Sequence, residues 1–180
     1  MTDVNPPAPL PVALPEAKTQ GQYQVRLDWG VAGAARIQKD ADITVWIDVL
    51  HTAPSPLPLG SFLSGRLTNR TAVARWILAE QVRRGDRTSI AIIAAGTNDG
   101  GFAVEDFLGA GAVIDALATE GIDFCSPEAA AAAASFVGLK SAAGHLITAS
   151  VTGRDLIAAG ERAMVVAAGK VDSIDEVIPA

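Results

Sequence analysis

Ser89-Ile90-Ala91-Ile92-Ile93-Ala94-Ala95, followed at once by Gly96-Thr97-Asn98-Asp99-Gly100-Gly101, decides the fold class. Almost unbroken hydrophobicity over the first seven residues is the pattern of a strand buried on both faces of a sheet. The glycine-rich run behind it is a loop. Residues 103–119 then predict a helix whose apolar contacts are Val104, Phe107, Leu108, Val113, Ile114 and Leu117. Working back toward the start, Ile43-Thr44-Val45-Trp46-Ile47-Asp48-Val49-Leu50 is a second strand of the same buried kind. Gln22 to Trp29 alternates polar and apolar residues, as a half-buried strand does. A short alanine-rich helix is expected over 30–39 between those two. Another runs from an N-cap at Asn69 to Arg84 and Gly85, with Val73, Trp76, Ile77 and Val82 on its apolar side. Ser126-Pro127-Glu128 combines a cap, a proline at the first helical position and an acid in the first turn. The polyalanine helix it starts has no bulky side chains and can approach a neighbour closely. Short helices over 139–149 and 153–168 precede a tail ending in Val177-Ile178-Pro179. Strands and helices in this succession predict an α/β layered sandwich, a small, largely parallel sheet flanked by helices.

Composition sets the outer bounds. The chain has 180 residues, 49 % hydrophobic and 19 % charged, enough apolar material for one buried core and too much for global disorder. Its prolines cluster at Pro6, Pro7, Pro9, Pro11 and Pro15 and again at Pro54, Pro56 and Pro58. Residues 1–20 are therefore expected to form a disordered, proline-rich tail, extended rather than helical, and 21–180 a single α/β domain. A net charge of −6 argues against nucleic acid as a partner, because a binder needs a basic stripe to displace counterions. The cluster Arg66, Arg70, Arg75, Arg83, Arg84 and Arg87 reads as the solvated face of a helix. A lone cysteine, Cys125, cannot form an internal disulfide and suits a reducing, cytoplasmic setting. No basic-then-apolar leader is visible and no apolar run reaches membrane length, so neither secretion nor a membrane is expected.

Ligands of open α/β sheets collect outside the carboxyl ends of the strands. Asp48 lies near the end of one strand, Asp99 in the loop after another, and Glu105 and Asp106 at the start of the next helix. Several carboxylates converging at that rim would suit a hard cation such as Mg²⁺. The plainer reading of Glu105 and Asp106 is that they complement the helix dipole. Gly96 to Gly101 could offer backbone N–H groups to an anion, although no Gly-Lys-Ser/Thr follows and the loop is not a P-loop. Gly109-Ala110-Gly111 lies inside the predicted helix and lacks the third glycine of a dinucleotide fingerprint, so it is read as a place where another helix comes close. His51 follows the buried strand at the rim, where a catalytic or anion-binding role competes with that of a surface histidine. His145 is read as structural, and Cys125 as an ordinary buried thiol.

Several of these segments, taken in order, resemble the 2-phosphosulfolactate phosphatase family. They are Gln24 to Gly30, Ile47-Asp48-Val49-Leu50, Gly65-Arg66-Leu67-Thr68-Asn69 running into Thr71-Ala72-Val73-Ala74, Ile92-Ile93-Ala94-Ala95-Gly96-Thr97, Phe102 to Phe107 and Ala110-Gly111-Ala112, with looser likeness through Gly153-Arg154-Asp155-Leu156 to Ile178-Pro179. The resemblance implies an α/β protein that uses Mg²⁺ to hydrolyse the phosphate ester of a small acidic metabolite. It carries over Asp48, Asn69, Gly96, Glu105 and Asp106, with His51 and Arg66 standing where relatives have other residues. Together with their neighbours at the rim, the expected roles are catalysis by Asp48, His51 and Asn69, substrate binding by Arg66, Gly96, Thr97 and Asn98, and metal binding by Asp48, Glu105 and Asp106. Family members carry a longer section where this chain has only His51 to Ser64. That difference opens a second expectation, a non-catalytic relative that binds a small ligand or a protein. It also implies a sheet that is either smaller than the family's or completed by another subunit, as a homodimer would do.

Overall fold

A computed structural model describes residues 16–51, 62–97 and 101–179. The elements, in chain order, are α1 Glu16–Thr19, β1 Val25–Trp29, α2 Gly30–Ile37, β2 Ile43–Ile47, β3 Leu63–Gly65, a 3-10 turn Leu67–Asn69, α3 Arg70–Arg84, β4 Ile90–Ala94 and α4 Val104–Thr119. They continue with α5 Pro127–Leu139, a second 3-10 turn Lys140–Ala142, α6 Ala143–Ala149, α7 Val151–Ala158, α8 Arg162–Ala168 and β5 Ile178–Pro179. The sheet order is β1-β4-β2-β3-β5. The first four strands are mutually parallel, and β5 closes the far edge antiparallel to β3. This is the expected sandwich. All five residues of β2 and all five of β4 are buried, which is why both read as continuous apolar runs.

Side chains alternate between two layers. Val45, Ile47, Ile90 and Ile92 point into the larger core with Val73 and Ile77 of α3, Val113 and Leu117 of α4, and Phe136 of α5. Trp46, Ala91 and Ile93 face the other way, onto Ala34 and Ile37 of α2 and onto Phe62. The chain thus moves from β1 to β2 across one face and returns from β3 to β4 across the other, as a constant crossover hand requires. Beyond α4 it reaches Cys125, which bridges Val25 on the outer side of β1. The chain leaving β2 runs instead toward β3. Adjacent strands β4 and β2 therefore send their continuations in opposite directions, the arrangement that opens a crevice at the strand ends.

Helix α5 starts as its sequence demands, with Ser126 Oγ accepting the Ala129 N–H at 3.2 Å. It lies so close to α4 that a Cβ on Gly111 would sit 2.1 Å from the Ala132 carbonyl oxygen. The neighbouring Gly109 serves the sheet rather than a helix, since its Cβ would meet Val49 and Ile47 side chains at 2.7 and 2.9 Å.

Several expectations need correction. Within the expected tail, Glu16–Thr19 form α1, and Gln20 is buried, exchanging hydrogen bonds with the Leu27 backbone. Residues 1–15 lie outside the described residues, as does the second proline cluster at 54–58. Strand β2 stops at Ile47, and β3 was not foreseen, because three residues are too few to show a period. Trp76 and Val82 are 41 % and 72 % exposed, so α3 packs through Ala72, Val73, Ala74 and Ile77. His145 is exposed. The stretch Pro127–Ala149 is long and apolar enough by composition to match a membrane span, contrary to expectation, yet its apolarity is largely alanine's and α5 is seated on α4 through Ala129, Ala132 and Phe136.

Candidate functional site

The crevice at the carboxyl ends of β4 and β2 is closed by one side chain. Asp106, in the first turn of α4 and 3 % exposed, accepts the Val49 N–H at 2.8 Å and the Gly96 N–H at 2.9 Å. Those amides lie just beyond β2 and β4, so the carboxyl ties the two strand ends together. Burial drives its pKa well above the ordinary 3.8. The Asp48 and Glu105 charges push the same way, against the lowering effect of the two N–H groups. Gly96 stands at φ +75°, and a Cβ there would meet the Gly101 carbonyl at 2.6 Å. Its amide serves Asp106, and the Thr97 amide is donated to Gly101 at 3.0 Å. The Gly96 and Thr97 amides, expected to cradle an anion, are thus both engaged within the protein. Asn98 and Asp99 lie outside the described residues.

The carboxylates expected to hold Mg²⁺ are not gathered into one cluster among the described residues. Asp106 has each oxygen engaged by a backbone amide. Among the described residues no three His, Cys, Asp or Glu side chains are grouped to hold a metal ion. Asp48 and Glu105 are near enough to act on Asp106 through their charge, without forming with it a direct ligand triad.

Asp48 has a different partner. Its Oδ2 lies 2.8 Å from Nδ1 of His51, with the Asp48 side chain 15 % exposed and the His51 side chain 55 % exposed. A carboxylate accepts from Nδ1–H, which in the neutral ring puts the lone pair on Nε2. His51 lines a cleft of about 470 Å³ beside the ends of β2 and β3. Arg66 from the β3–α3 connection and Lys170 from the segment after α8 line it too, with the hydroxyls of Thr68 and Ser173. Val49, Met164 and Ile174 supply an apolar wall.

Arg66 is set apart from the other arginines of its cluster. Arg70 pairs with Asp115 and Asp172, Arg75 with Glu120, Arg83 with Glu80 and Arg84 with Asp42, while Arg87 lies over the Phe124 ring. No carboxylate among the described residues forms an ion pair with Arg66 or Lys170, and the buried Nε of Arg66 has no hydrogen-bond partner. Two cations without counter-charge at a concave site make an anion-binding surface.

Asn69, expected to be catalytic, is fully buried. Its Oδ1 accepts the Arg66 N–H at 2.8 Å, and its Nδ2 donates to the Ser64 and Glu176 carbonyls at 3.0 and 3.4 Å. It makes no side-chain cap for α3; it fixes the backbone that carries Arg66. Sequence reasoning missed Thr68, Lys170 and Ser173. No motif marks them, and Lys170 and Ser173 reach the cleft only because backbone bonds from Asp172 N to Leu67 O and from Ile174 N to Thr68 O lay their segment along the 3-10 turn.

Residues 59–180 match the sequence profile of 2-phosphosulpholactate phosphatase, a span that includes Arg66, Asn69, the β4–α4 connection and Lys170. None of the curated proteins matches the chain. With roughly two thirds of its length covered in this way, the chain belongs to the 2-phosphosulpholactate phosphatase family.

Proposed function

We propose that the protein is a phosphatase-like enzyme that binds a small, multiply anionic phosphate ester, of the phosphosulpholactate kind, in the cleft of His51, Arg66 and Lys170. The observation that carries this is the convergence of three basic side chains on one cleft in which Arg66 and Lys170 form no ion pair among the described residues. An arginine fork matches two oxygens of a phosphate or sulfonate, and an ammonium adds a point charge. Val49, Met164 and Ile174 would cover the short carbon skeleton between the anionic groups.

The Asp48–His51 pair supports hydrolysis. Nε2 takes a proton from water as the water oxygen bonds to phosphorus and the P–O ester bond breaks. The same proton is then available to the leaving alkoxide, so the products are the alcohol and inorganic phosphate. Asp48 holds the ring and stabilises the imidazolium that forms between those events. A positioned acid–base group of this kind is worth about 10²- to 10⁴-fold in rate.

The test is phosphate release by the purified chain from 2-phosphosulpholactate, with and without added Mg²⁺. Saturable release that depends on His51 supports the reading. Binding without release would identify a non-catalytic anion-binding relative, a reading favoured by the short 51–64 connection. Neither binding nor release would refute both.

A further inference from the structure

The wall of the cleft that carries Lys170, Ser173 and Ile174 is a strap, and one side chain at its centre fastens it. Asp172 holds a left-handed backbone, φ 51°, which aspartate tolerates better than most residues. Its Oδ1 accepts the Thr71 N–H at 3.0 Å, at the exposed start of α3. Its Oδ2 accepts from Nε of Arg70 at 2.9 Å. Arg70 is itself anchored, because its Nη1 donates to Asp115 of α4 at 2.7 Å and its guanidinium lies 5.3 Å from the Phe136 ring centroid of α5. The side chain of Arg70 is only 12 % exposed. One carboxylate thus joins the strap to three helices, while Lys170 before it and Ser173 and Ile174 after it line the cleft.

We propose that Asp172, through Arg70, is a positioning residue for the anion site, holding the 170–174 strap so that Lys170 stands opposite Arg66. The inference rests on the anion-binding reading of the cleft. It adds that the site is assembled from two pieces of chain far apart in sequence, and that an anion gripped by Arg66 and Lys170 together tightens the strap. Asp172 touches no ligand and acts only through its neighbours.

Asp172→Asn tests this, because it keeps an acceptor for the Thr71 N–H and removes the charge that holds Arg70. Hydrogen exchange on the unliganded full chain should quicken across 169–177 and stay unchanged in β4 and α4. Affinity for inorganic phosphate should fall about tenfold, the worth of roughly one charge-assisted contact, and KM for the phosphate ester should rise by a larger factor than kcat falls. Combining Asp172→Asn with Lys170→Ala should weaken binding little more than Lys170→Ala alone. Unchanged strap exchange, or additive losses in the double variant, would overturn the role. If wild type binds phosphate and Asp172→Asn binds it equally well, the positioning role fails alone. If wild type binds none, the anion reading fails and the role goes with it.

Discussion

Replacing Asp106 by alanine removes the acceptor for two backbone N–H groups at once, those of Val49 and Gly96. Val49 is 4 % exposed, so water cannot readily take the place of the carboxyl there. An orphaned buried donor costs about 1–3 kcal/mol, which puts Asp106→Ala at about 2–6 kcal/mol. Asp106→Asn keeps one acceptor and should cost about half as much. The pH dependence has a definite sign. Burial raises the folded-state pKa of this acid above its unfolded value. Its contribution is therefore complete below the unfolded pKa and is lost as pH rises through the folded one. Urea unfolding should show the largest gap between wild type and Asp106→Ala in acidic buffer, narrowing as pH rises, whereas the Asn variant contributes no such slope. If Asp106→Ala proved as stable as wild type or more so in acid, Asp106 would be a carboxylate held under strain for chemistry and not the clamp of the β2 and β4 ends.

Two further predictions follow from particular contacts. Gly111→Ala should destabilise by about 2 kcal/mol or more despite the roughly 1 kcal/mol it gains in helix propensity, because the new methyl meets the Ala132 backbone; a denaturant midpoint at or above that of wild type would contradict the close α4–α5 approach. His51→Gln and Asp48→Asn should each lower kcat for the phosphate ester by about 10²-fold or more, as steady-state kinetics would show; equal kcat in the variants would remove the dyad from the reaction.

Much of the sheet was legible in the residues. Strands β2 and β4 are buried on both faces and read as apolar runs that only Thr44 interrupts, and the glycine loop marked where β4 must end. Strand β3 was invisible, because its three residues, one a glycine, derive their structure from pairing with β2 and carry no pattern of their own. Asp106 could be placed at the sheet rim from its position, but not assigned its work. Its partners are backbone amides, which carry no residue identity in a sequence, so an acid at a helix start near strand ends reads equally well as a metal ligand. The arginine cluster hid Arg66 for a related reason. Asp42, Glu80, Asp115, Glu120 and Asp172 neutralise its neighbours, and most of these acids lie far away along the chain, so only folding reveals which arginine is left over. Lys170 lies on a segment that backbone bonds to Leu67 and Thr68 and the Asp172–Arg70 pair join to the start of α3, contacts between the two ends of the matched span.

The most direct test of the cleft is isothermal titration of the full chain with 2-phosphosulpholactate, for wild type and for an Arg66→Ala, Lys170→Ala double variant. Saturable one-site binding to wild type, weakened by about a hundredfold or more when two charge-assisted contacts are lost and accompanied by an unchanged melting temperature, is the expected result. Equal binding by wild type and the double variant would contradict the assignment of the site, and so would no binding by either.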